Sequence, residues 1–184
     1  MKNFQFSIFN FKNKKQSGFT IVEVLVTSLI FSIIAITISA IFVQIINLQR
    51  RGISIQKIQT NSLFVLEMMS RDIRVSKIAN QESPNCSLTT ITITHPSKDV
   101  IVYRATNGFI EKSESGGAFV AISGSDVNFS RMNFCVTGSG TNDNQTPRVA
   151  IITTAENKTG KEILKINFQT TVSSRDLFDE LQSP

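Results

Sequence analysis

Tryptophan is absent from this 184-residue chain, and tyrosine and histidine occur once each, as Tyr103 and His95. These shortages narrow the function. His95 stands beside Pro96 with no second soft ligand near it, so a turn residue is expected there, not a catalytic base or metal ligand. No Gly-rich phosphate loop, HExxH, GxSxG or CxxC occurs, and neither an enzyme nor a cofactor or metal site is expected. Asp143 with Asn142 and Asn144 offers loop oxygens, but lacks the spacing of a calcium loop. One tyrosine and no tryptophan leave little for base stacking. The basic residues Arg50, Arg51, Lys57, Arg71, Arg74 and Lys77 form a stripe that Glu67 and Asp72 interrupt. No direct nucleic-acid binding is expected. Neither an internal repeat nor a sustained heptad is present.

Acidic residues are also missing where cations concentrate. Residues 1–18 hold Lys2, Lys12, Lys14 and Lys15 and no acid. Of the formal +5 charge, four units lie in this segment, leaving +1 (5 − 4) for the rest. The basicity is a targeting feature, not a nucleic-acid surface. Charge of either sign is then absent from Val24 to Leu48, 25 residues whose polar members are Thr27, Ser28, Ser32, Thr37, Ser39, Gln44 and Asn47. As a helix this run spans ~37 Å at ~1.5 Å per residue, enough for a ~30 Å hydrocarbon layer. Hydroxyls are tolerable there because they bond back to carbonyls one turn earlier. The lysines before the span and Arg50-Arg51 behind it favour a cytoplasmic N-terminus and an exported C-terminal part. A conventional signal anchor remains the alternative, with Ile38-Ser39-Ala40 as a small-residue cleavage site.

One acid breaks the pattern. Glu23 stands at the head of the apolar run, where a carboxylate costs roughly 2.5–3.5 kcal/mol on insertion scales and so normally has a partner. The stretch Lys12–Leu25 contains Lys12, Lys14 and Lys15, then Gly18-Phe19, then Thr20-Ile21-Val22-Glu23. This stretch resembles the prepilin-type leader of the type IV pilin-like family, which comprises pilins, type II secretion pseudopilins and competence pilins. The resemblance implies cleavage between Gly18 and Phe19 by a prepilin peptidase and N-methylation of the new terminus at Phe19. It also implies a salt bridge between Glu23 and the Phe19 amine of an adjacent subunit. The helices from Phe19 to Leu48 would form a filament core, packed through Ile21–Val26 and built by an inner-membrane assembly platform from other pilin or pseudopilin subunits.

Beyond Arg51, apolar positions become periodic: Ile55, Ile58, Ser62, Val65, Met69 and Ile73, with Leu66 beside them. This spacing predicts an amphipathic continuation of the helix to about Ala79, with Gly52 as a weak point and Pro84 as terminator. Alternation then predicts strands at Thr89–His95, Val100–Arg104 and Phe109–Lys112, the last two joined by an Asn107-Gly108 hairpin. Val127 and Phe129 share one phase and Met132, Phe134 and Val136 the other, predicting a bulge near Ser130. A final hairpin is expected from Val149–Thr153 and Leu164–Val172. The fold class is therefore α+β, a long N-terminal helix on an antiparallel sheet. Its expected divisions are a leader (1–18), a membrane or filament-core helix (19–49), an amphipathic half (50–80) and a sheet domain (81–184).

Cys86 and Cys135 both fall in the exported part, where disulfides persist, so a bridge between them is favoured over two free thiols. Met69–Arg74, Val102-Tyr103-Arg104 with Asn107-Gly108, and Thr170–Arg175 resemble the J-type minor pseudopilins and W-type minor pilins. Ala40 stands where major pilins have a proline, so no proline kink is implied. The expected function is a minor pilin or pseudopilin, a structural subunit assembling into or priming a type IV pilus-like or type II secretion filament at the bacterial cytoplasmic membrane. A DNA-uptake or adhesive pilus subunit is the alternative.

Overall fold

The computed structural model describes residues 18–78, 80–140, 145–160 and 162–175. The Lys12, Lys14, Lys15 cluster and the Asn142–Asn144 loop lie outside these. The first element, α1, runs without a break from Ile21 to Val75, and Gly52 does not interrupt it. Two compact units meet within this helix, the first ending at Asn47 and the second starting at Leu48.

In the first unit, α1 has no buried side chain, and the large apolar residues from Phe19 to Phe42 are all half exposed or more. Its hydroxyls turn inward on the backbone. Thr27 Oγ1 donates to Glu23 O at 2.8 Å, Ser32 Oγ to Ser28 O at 2.8 Å and Ser39 Oγ to Ala35 O at 2.8 Å. Each bond hides a polar group against the helix, leaving the surface between Glu23 and Gln44 apolar all round.

In the second unit only one face of α1 is covered. Ile58, Ser62, Val65, Leu66, Met69, Asp72 and Ile73 are buried, at the three- and four-residue steps of one helix face. The helix stops at Val75, four residues short of the predicted Ala79. Lys77 instead exchanges two backbone hydrogen bonds of 2.9 Å with Thr94, which draws the chain out of the helix and into sheet pairing.

Eight strands follow among the described residues. They are β1 (Ser83–Leu88), β2 (Thr90–His95), β3 (Asp99–Thr106), β4 (Phe109–Glu114), β5 (Val120–Ala121), β6 (Val127–Thr137), β7 (Arg148–Asn157) and β8 (Lys165–Ser173). They form two antiparallel four-stranded sheets, in the orders β2-β3-β4-β5 and β1-β6-β7-β8. The α+β expectation holds, and the strands divide into two sheets where a single sheet was expected. Asn107 and Gly108, at φ 52° and 77°, make the tight β3–β4 turn that positive φ permits. The register of β6 against β7 shifts between Phe129 and Arg131, placing the predicted bulge at Ser130.

Strand β1 was not expected from the sequence, since Pro84 and Asn85 read as terminators. It is an edge strand, where proline costs no ladder bond, and its register against β6 is irregular between Ser83 and Leu88. The Cys86–Cys135 disulfide fastens it to β6, and Asn133 Nδ2 donates to Cys86 O at 3.0 Å. The core of the unit joins Ile58, Val65 and Met69 of α1 to Ile91, Ile101 and Tyr103 of one sheet and Phe134, Val149 and Ile151 of the other.

Candidate assembly site and a buried ionic cluster

Two polar constellations emerge, one at each end of α1. At the start, Gly18, Phe19 and Thr20 precede the first helical turn, all exposed. Thr20 is the cap. Its Oγ1 accepts from the Glu23 N–H at 3.3 Å, and its carbonyl accepts from the Val24 N–H at 3.2 Å. Thr-x-x-Glu is the capping-box spacing, and Glu23 in the first turn sits at the positive end of the helix dipole. The local fold thus explains a carboxylate at this position within the chain, but not across a bilayer. Among the described residues its carboxylate forms no salt bridge.

Gly18 has no structural reason of its own. A Cβ there would meet nothing within 4 Å, and its φ lies outside the left-handed region. The Gly18–Phe19 peptide bond lies two residues ahead of the helix, in backbone that no helical hydrogen bond protects.

A sequence profile of the prokaryotic N-terminal methylation motif matches residues 13–39. The match supports a type IV pilin-like N-terminus. The match spans the start of the helix and the residues just ahead of it, where Gly18, Phe19 and Glu23 stand, and none of the sheet residues. The motif implies processing by a prepilin peptidase and pilin-type assembly. An apolar helix of this length and hydropathy is long enough to cross a membrane, and accords with pilin-like membrane anchoring. No curated protein and no solved structure matches the chain significantly.

At the other end of α1, Asp72 is buried, at 5% exposure. The Tyr103 hydroxyl donates to its Oδ2 at 2.6 Å and Lys112 Nζ at 2.7 Å, while Lys98 Nζ lies 3.8 Å from Oδ1. Lys112 also reaches Glu114 at 2.6 Å. Burial alone would raise the Asp72 pKa. The hydrogen bonds from Lys112 and Tyr103, with the charges of Lys112 and Lys98, outweigh it and hold the carboxyl below its ordinary 3.8. Burial likewise opposes the Lys112 charge, and its bonds to Asp72 and Glu114 raise its pKa despite that. Burial and the Asp72 carboxylate push the Tyr103 phenol up. These shifts favour the charged forms of Asp72 and Lys112 and the neutral phenol of Tyr103, and the cluster joins the helix to the sheet β2-β3-β4-β5.

Sequence reasoning assigned Asp72 to the solvated stripe. The missed signal was its position, three residues after Met69 and seven after Val65, on the apolar face. Arg50, Arg51, Lys57, Arg71 and Arg74 lie on the surface as expected, where Lys57 pairs with Asp126 at 3.0 Å and Arg71 with Glu67 at 3.2 Å, while Lys77 is half-buried beside β2. His95 ends β2, where its Nδ1 lies 3.2 Å from the Ser97 N–H as an acceptor in the turn.

Proposed function

We propose that the chain is a minor pilin or pseudopilin, a structural subunit that assembles into or primes a type IV pilus-like or type II secretion filament. The observation that carries this is the start of α1. A capped first turn presents Glu23 on a helix whose apolar surface is left uncovered by the described residues. In this reading a prepilin peptidase cuts at Gly18–Phe19, and the same enzyme methylates the freed Phe19 amine. That amine, one cation delivered by cleavage, then pairs with Glu23 of a neighbouring subunit. The helix surface from Phe19 to Leu48 passes from lipid to protein contacts, with Ile21–Val26 nearest the pairing site. The subunit is a substrate of the peptidase and performs no catalysis itself.

Intact-mass and N-terminal sequencing of the protein recovered from membranes test the first step, and a mature terminus other than N-methylated Phe19 refutes it. The variant Glu23→Ala tests the second. Processing at Gly18–Phe19 is expected to continue while incorporation into filaments falls by about tenfold or more, as the loss of one partner of a desolvated charge pair requires. Incorporation of Glu23→Ala at the native level would remove the pairing from the mechanism.

A further inference from the structure

Along the second half of α1, a surface stripe remains apolar where the sheets do not cover it. Phe64 is 56% exposed and Val75 46%, with half-buried Met68 between them on the same face. Beside them is a hollow of about 360 Å³, walled by Phe64, Glu67, Met68 and Arg71 of the helix and by Lys98 and Lys112 over Asp72. Its rim charges are loosely used. Arg71 holds Glu67 on the open surface, and Lys98 lies 3.8 Å from Asp72 and 3.5 Å from Glu114.

We propose that this hollow is the docking site of the chain's own C-terminal segment, residues 176–184, which lies outside the described residues. Three observations select that occupant. The first is chemistry. The segment reads Asp-Leu-Phe-Asp-Glu-Leu-Gln-Ser-Pro, with apolar Leu177, Phe178 and Leu181 and acidic Asp176, Asp179 and Glu180. Each set follows spacings of one, three or four, so one face is apolar and the other acidic. The apolar face matches Val75 and Met68, and the acids match Arg71, Arg74 and Lys98.

The second is position. The Arg175 N–H donates to Arg74 O at 2.9 Å and Ser174 Oγ to Ser76 O at 2.6 Å, so the segment begins beside Val75. The third is reach. From Val75 to Met68 the helix rises ~10 Å, and the six steps from Arg175 to Leu181 would cover ~9 Å at the helical rise that its face pattern requires. A tether this short holds its end at millimolar effective concentration, which favours the same chain over a second copy.

The test places a benzophenone-bearing phenylalanine at position 178 of the full chain, in lipid nanodiscs holding one chain each. Illumination is expected to cross-link it to the stretch from Phe64 to Val75, located by mass spectrometry. Arg71→Glu is expected to lower the yield about two- to fivefold, the range of an exposed charge pair, and Asp179→Lys in that background to restore it. Both substitutions are on the surface and leave the core intact. Cross-links elsewhere, a yield indifferent to Arg71→Glu, or cross-links only where two chains share a bilayer would each overturn the proposal. The last would assign the stripe to a second copy.

Discussion

One helix, α1, is built for two different surroundings. Up to Asn47 it has no buried residue and no charge after Glu23; from Leu48 it carries charges and buries one face. Backbone hydrogen bonding is the same throughout, so secondary structure does not distinguish the halves. The difference lies in where the apolar side chains find partners. In the second half they are supplied by the chain's own sheets. In the first half none of the described residues supplies them, which accords with pilin-like membrane anchoring.

The largest test of this contrast is a pair of truncations. Met69 is fully buried, and Met69→Ala is expected to cost about 4 kcal/mol of folding stability. Ile33→Ala, on the uncovered half, should change it by less than about 0.5 kcal/mol. Equal losses in denaturant unfolding would mean that the first half has partners within the chain. The converse substitution, Ile33→Lys, is expected to cost about 3 kcal/mol of membrane insertion while leaving the unfolding midpoint of the sheet unit unchanged. Membrane fractionation reads the first effect, and normal insertion would show that the span is not in hydrocarbon.

A smaller effect belongs to the ionic cluster. Asp72 binds its proton less tightly folded than unfolded, so its contribution is complete above pH 3.8 and is lost as pH falls below that value. Glu114, lowered by its hydrogen bond from Lys112, and Glu156, lowered by its bonds from Ser130 and Lys165, act in the same sense. Asp72→Asn should therefore flatten the acid loss of stability without abolishing it. An unchanged slope in pH-dependent unfolding would show that Asp72 does not contribute. Smallest of all, Lys57→Ala removes an exposed pair with Asp126 and should cost less than about 1 kcal/mol. A larger loss of unfolding free energy would mean that this contact holds the helix to the sheet unit.

Much of this fold was legible, because its signals are local. The apolar run, the β2–β3 alternation, the Asn107-Gly108 turn and the phase change at Ser130 each depend on a few adjacent residues. What was hidden depends on distant partners. Period-two alternation tells which face a strand buries but not which strand lies beside it, so the split into two sheets did not show. Pro84 concealed β1 because only an edge position makes proline harmless there. Asp72 was misplaced because its partners Tyr103 and Lys112 are 31 and 40 residues away. At the N-terminus, by contrast, Gly18, Phe19, Thr20 and Glu23 lie within six residues of one another. Their pattern could be read directly.

The exit of α1 has a mechanical meaning. Just past Val75, Lys77 is hydrogen-bonded to Thr94 of β2, while the helix end receives bonds from Ser174 and Arg175, directly after β8. A tensile load travelling down the helix therefore divides at this junction. One share passes into the sheet that holds β2 and the other into the sheet that holds β8.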